Sequence, residues 1–154
     1  SRIMNNIGIN LGFVPALFFI LSLGLAFATG TSWGTFTILI PIAVTIVSSD
    51  QSLVYITISA ILSGAVCGDH VSPISDTTIL ASTGSKCNHI IHVNTQMPYA
   101  LLVASVALIG FIINGFLKNS WITLAICVVL LISVLFLLNY LSKKKNKKEV
   151  EVTE

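Results

Sequence analysis

Between Gly64 and Gly84 the chain reads GAVCGDHVSPISDTTILASTG. Two carboxylates, Asp69 and Asp76, an imidazole, His70, and the hydroxyls of Ser72, Ser75, Thr77 and Thr78 crowd around one proline, Pro73. Hard cations take oxygen ligands, and this stretch supplies carboxylate, hydroxyl and carbonyl oxygen at one break. Pro73 has no N–H, so the carbonyl of Asp69 is expected to lose its helical partner and become free for a ligand. Gly68 is expected to loosen the same turn. Ser75 or Asp76 is placed to cap a helix starting at Thr77. A carboxylate among apolar groups survives if it is protonated, paired or holding a cation. Burial disfavours its charged form and a neighbouring carboxylate does so further, so a proton and an alkali cation can compete for it. Asp76 ranks first for that role, because it lies past the proline at a helix start, and Asp69 ranks second. The plainer alternative makes Asp76 a helix cap and Asp69 an interfacial residue. His70 is open between proton relay, hydrogen-bond partner of an aspartate, and structural residue. A second polar stretch, GTSWGT at 30–35, offers Thr31, Ser32 and Thr35. Its glycines, Gly30 and Gly34, suit a tight turn, and Trp33 reads as packing.

Other chemistries fit less well. Cys87, His89 and His92 in CNHIIH have the donors for zinc, but a structural site wants four ligands and only three are local. An intramembrane aspartyl protease needs two carboxyls sharing a proton at close range, whereas Asp69 and Asp76 are separated by a proline. STGSK at 82–86 lacks the spacing of a phosphate loop. No nucleophile elbow and no nucleic-acid surface is present in the sequence. Cys67, Cys87 and Cys127 are too far apart in sequence for a paired motif and read as free thiols.

The elements that must position these groups are hydrophobic. Of 154 residues, 55% are hydrophobic and 9% charged, a balance that excludes a soluble domain and implies a polytopic membrane protein. Apolar stretches run at 11–29, 36–47, 53–67, 99–117 and 121–141. Five lysines at 143–148 mark the last end as cytoplasmic by the positive-inside rule. The tail 142–154 reads as a disordered topological anchor on a transmembrane portion, 1–141. LKNSW is a tight turn, so the loop at 85–98 is expected on the cytoplasmic side too. The stretches 36–47 and 53–67 look too short to span comfortably. With the SSDQS turn at one surface, their other ends, 28–35 and 67–78, fall deep in the membrane at similar depth. The expected layout is a re-entrant hairpin, 11–49, and one broken span, 52–90; a full span at 11–29 is the alternative. Broken helices facing each other are one way to build an ion site in lipid. The opening SRIMNNIGIN lacks the build of a signal peptide and is expected to be interior to a longer protein.

Two stretches also carry a resemblance. GDHVSPISDTTILASTGSKCNHIIHVNTQMPYA (68–100) closely resembles the signature of the NhaC-type Na+/H+ antiporter family, and GTSWGTFTILIPIA (30–43) resembles that family's other typical stretch. The resemblance implies an all-α polytopic transporter. This chain would be one inverted-repeat half, with a re-entrant hairpin, a discontinuous helix and two C-terminal transmembrane helices. It implies sodium and protons as transported ions with no cofactor, or coupled exchange of a small organic anion of the malate or lactate kind. The implied ion-binding set is Asp69, His70, Ser72, Ser75, Asp76, Thr77 and Thr78, facing Thr31, Ser32 and Thr35. Implied partners are the lipid bilayer and the N-terminal half of the same protein, with a homo-oligomer open. The implied location is the cytoplasmic membrane, multi-pass, with the C-terminus in the cytoplasm. Val71 stands where many relatives carry Cys, and Ile91 where an acid is common. A membrane subunit that transports nothing is the rival class.

Overall fold

The structure, a computed structural model, describes residues 10–153, with side-chain surroundings from 10 to 140. The described residues form six α-helices and a 3-10 lead-in, Leu11–Phe13. The helices are α1 (Val14–Thr29), α2 (Ser32–Val47), α3 (Gln51–Val71), α4 (Asp76–Gly84), α5 (His89–Leu117) and α6 (Ser120–Thr153). Four segments are long and apolar enough to cross a membrane: Leu11–Thr29, Gln51–Val71, His89–Leu117 and Ser120–Tyr140. The chain is a polytopic membrane protein.

Local chemistry sets the ends. Asn10 accepts the amide of Gly12 at 3.1 Å, and Pro15 fills the first turn of α1, where a missing N–H costs nothing. Gly30 ends α1 at φ +68°, in the left-handed region that glycine enters freely. Any larger residue there would also press on the backbone of Ile74. Asp50 caps α3 by accepting the amides of Ser52 and Leu53. Ser72, directly before Pro73, is extended, as the clash with the proline ring requires, and α3 stops there. Asn88 caps α5 through the amides of Ile90 and Ile91.

The helices α1 and α3 run parallel and side by side. Val14 and Phe18 meet Leu53 and Ile61 at one end, and Ser72 reaches Phe27 at the other. Residues Ala60, Gly64 and Gly68 line the contact face of α3 at four-residue spacing, all buried. A methyl at Gly64 would overlap the Phe19 carbonyl and the Ser22 hydroxyl, and one at Gly68 the Leu23 carbonyl. Small residues at this spacing let two helices in lipid approach backbone to backbone. Gly68 therefore sits inside a helix as a packing residue; it does not loosen the break. The helix α2 returns antiparallel beside them, burying Ala43 and Val47 with Val14, Phe18, Leu53 and Ile61. The helix α5 runs back along α1 and α3, with Phe111 on Phe19 at 5.3 Å between ring centres.

Residues 11–49 form a helical hairpin turning at Gly30–Thr31, with Leu11–Thr29 long enough to span as the alternative layout has it, and 51–84 form a helix broken at 72–75. Three boundaries differ. Stretch 53–67 extends to a full 21-residue helix, because the polar residues 68–71 precede the proline and can stay helical. The expected loop at 85–98 shrinks to 85–88, since Asn88 starts α5 early and Pro98 is absorbed inside it. The lysine tail continues α6 as helical backbone to Thr153, and its side chains lie outside the described residues.

Candidate functional site

The Gly30–Thr31 turn and the 72–75 break meet at one end of the helices. Between them lies Asp69, nine-tenths buried in the last turn of α3. Ser32, in the first turn of α2, donates its hydroxyl to Asp69 Oδ2 at 2.9 Å. Ser75, in the break, donates to Asp69 Oδ1 at 2.6 Å. Thr77 Oγ1 lies 2.7 Å from Ser75 Oγ. Three hydroxyl oxygens, one each from α2, the break and α4, are thereby linked to one carboxyl group.

Ser75 stands at the N-cap of α4 yet makes no capping bond. Its hydroxyl has left the usual capping role and faces the carboxylate instead. Hydroxyls carry one proton each, so the direction of the chain reports the state of Asp69. With Asp69 ionised, Thr77 donates to Ser75 and Ser75 to Oδ1. With Oδ1 protonated, both bonds reverse. Thr77 is exposed, so this row of hydroxyls links a buried carboxyl to the surface of the described residues.

The remaining predicted residues fall around this cluster in different ways. Asp76 is exposed, and its Oδ1 accepts the amide of the adjacent Thr77 at 2.8 Å. Asp69, ranked second from sequence, is the carboxylate that the hydroxyls surround. The Thr31 side chain caps α2, and Thr35, fully buried, donates to the Thr31 carbonyl at 2.9 Å. Ser72 donates to the Phe27 carbonyl at 2.8 Å, tying the break to the end of α1. Thr78 donates to the His70 carbonyl at 3.1 Å. The imidazole of His70 points away from Asp69, into a groove with Cys67, Gln96 and Tyr99.

Carbonyls expected to be free at the proline are occupied. The Asp69 carbonyl accepts the amide of Ser72 at 3.1 Å, tightening the last turn. The His70 carbonyl also accepts Gln96 Nε2 at 2.7 Å. The Pro73 carbonyl lies 2.7 Å from His89 Nε2, and the other ring nitrogen of His89 lies 3.1 Å from Ser82 Oγ. Gln96, His89 and Ser82 escaped the sequence reading as parts of the site. One signal was available: His89 and Gln96 lie two helical turns apart, on one face of an otherwise apolar helix. The Cys87, His89 and His92 trio does not assemble; among the described residues no three metal-ligating side chains gather. All three cysteines are free thiols.

The sequence model described as the Na+/H+ antiporter family matches residues 1–116. An uncharacterized protein of Haemophilus influenzae is 50% identical over 125 residues, covering 80% of this chain and 24% of the relative. The malate-2H(+)/Na(+)-lactate antiporter of Bacillus subtilis is 34% identical over 96 residues, 60% of this chain and 20% of that protein. The arginine/ornithine antiporter of Halobacterium salinarum is 38% identical over 108 residues, 70% of this chain and 22% of that protein. The chain spans about a quarter or less of the length of these relatives. No solved structure matches it.

Proposed function

The chain belongs to the Na+/H+ antiporter family, and on that premise we propose that it forms the ion-binding part of a secondary transporter exchanging sodium for protons at Asp69. The observation that carries this reading is a nine-tenths buried carboxylate whose two oxygens are each held by a hydroxyl from a different element. A charge at the bilayer centre costs at least ~2.5–3.5 kcal/mol on insertion scales, so a carboxylate is kept there for a purpose. Sodium displaces the proton, and Ser32, Ser75 and Thr77 turn lone pairs toward the cation. When the proton returns, the hydroxyl row reverses. Net exchange follows because the carboxyl holds one or the other. In this reading the chain is one inverted-repeat half with the α1–α2 hairpin re-entrant, set in the cytoplasmic membrane with the C-terminus in the cytoplasm. The N-terminal half of the protein would cover Asp76 and the exposed face of Thr77.

The test is transport by the complete protein in proteoliposomes, read with an internal pH dye on sodium addition. Asp69→Asn is expected to abolish the sodium-driven signal while insertion is retained. A full signal from that variant would sink the assignment.

A second reading has its own support. Two of the relatives are exchangers of organic solutes, malate and lactate in one and arginine and ornithine in the other. In this reading the start of α2 at Thr31–Ser32 holds a substrate carboxylate, as helix N-termini do, and Asp69 holds the coupling ion. A change in the sodium-driven signal on adding malate or lactate is the outcome this reading expects.

A further inference from the structure

His89 opens α5, yet its ring reaches back to the break. The Pro73 carbonyl can only accept, so His89 Nε2 carries a proton and donates across 2.7 Å. The other ring nitrogen, Nδ1, is 3.1 Å from the hydroxyl of Ser82, which is fully buried in α4. Ser82 in turn lies 2.9 Å from the Ile79 carbonyl and accepts, on its backbone carbonyl, the amide of Cys87 at 2.9 Å. The imidazole is thus fixed at both nitrogens, by α4 on one side and by the break on the other. Pro73 is two residues from Ser75, the residue whose hydroxyl sits on Asp69 Oδ1. The segment between α3 and α4 is only four residues long, 72–75. Ser72 anchors its first residue to Phe27, and Ser75 its last to Asp69. Pro73, which has no amide to offer, makes its one hydrogen bond among the described residues to His89.

We propose that His89 is a positioning residue for the Asp69 site: by holding the Pro73 carbonyl it fixes the break so that Ser75 stays on the carboxylate. This rests on the Asp69 reading for its consequence in transport, though the hold on the loop stands apart from it. His89 touches neither the carboxylate nor its hydroxyls in the structure. It acts through the backbone of the break.

The test uses the complete antiporter, with its native cysteines replaced and a single cysteine placed at Ile74, which is 59% exposed. Maleimide labelling of that cysteine reads the freedom of the break without any ion. His89→Leu, which fills similar space and donates nothing, is expected to speed labelling about tenfold. His89→Gln keeps a donor near the Nε2 position and is expected to return labelling to within about twofold of the parent. Ser82→Ala, a mild change that removes one anchor of the ring, should fall between. In transport, His89→Leu should raise the half-saturating sodium concentration about tenfold with a smaller change in maximal rate, and His89→Gln should restore it. A general folding defect would lower the maximal rate in both variants and would not distinguish Gln from Leu. Labelling that is the same in parent, His89→Leu and Ser82→Ala overturns the inference. Faster labelling, rescued by Gln, with sodium dependence unmoved would uphold the hold on the loop and count against sodium binding at Asp69.

Discussion

At the scale of single residues, the site divides into one carboxyl and the hydroxyls that face it. Ser75→Ala removes the donor to Oδ1 and the link to Thr77 together. A hydrogen bond to a charged group is worth ~1.5–3 kcal/mol, so the half-saturating sodium concentration should shift by about one to two orders of magnitude. Asp76→Asn is expected to be far milder than Asp69→Asn, because Asp76 is exposed and bonds its neighbour's amide. Comparing the sodium-driven pH signal of the two variants checks both expectations. The residues in GDHVSPISDTT were legible as a set, since charge and proline inside a lipid-facing chain have few uses. Their order of importance was not. Both aspartates flank the proline, and only the turn of the helix decides which one points at Ser32. His89 and Gln96 looked like loop residues for a related reason: the start of α5 depends on Asn88, whose capping role needs three-dimensional confirmation.

At the scale of elements, the α1–α3 pair governs where the site can form. The stripe of Ala60, Gly64 and Gly68 brings the two backbones together, and Ser72 then meets Phe27 one turn further on. Gly64→Val would drive methyl groups into the Phe19 carbonyl and Ser22. Overpacking of this kind costs ~1–3 kcal/mol, and thermal unfolding of the purified protein in detergent should show a lowered midpoint. The same change should weaken sodium dependence, although it lies more than one turn from Asp69. Hydrophobic runs made the helical hairpin and the broken helix readable from sequence. The glycine spacing was misread, because a glycine before a proline suggests a loosened turn when the partner helix is unknown. The full length of α3 was missed for the reverse reason: Asp69 and His70 looked like its end, but the Asp69 carboxyl is met by Ser32 and Ser75 and the His70 carbonyl by Gln96.

At the scale of the whole molecule, the far end of the bundle is held by charge. Lys118 sits at the left-handed end of α5 and pairs with Asp50 at 2.5 Å, joining the α2–α3 turn to the α5–α6 turn. The hydrogen bond from Lys118, followed by the amide of Leu53, holds the Asp50 carboxyl below its ordinary value. A lowered value means that the pair supports the fold above the usual carboxylate range, near pH 4, and that this support is lost as pH falls through it. Lys118→Gln should therefore lower stability modestly near neutral pH, as for a partly exposed pair, and leave it unchanged near pH 3, which flattens the acid limb of a stability profile measured between about pH 3 and pH 7. The close seam between α1 and α3, by contrast, makes those two helices one stiff mast. The α2 helix joins it through the Gly30 turn and packs Ala43 and Val47 onto it, with less shared surface than α1 and α3 have with each other. Of the two hydroxyls on Asp69, Ser32 belongs to this less tightly seamed leaf, and Ser75 to the break beyond the mast's α3. If Asp69 holds an ion as proposed, the leaf with the lesser seam is the one to part first, and the ion would leave past Ser32.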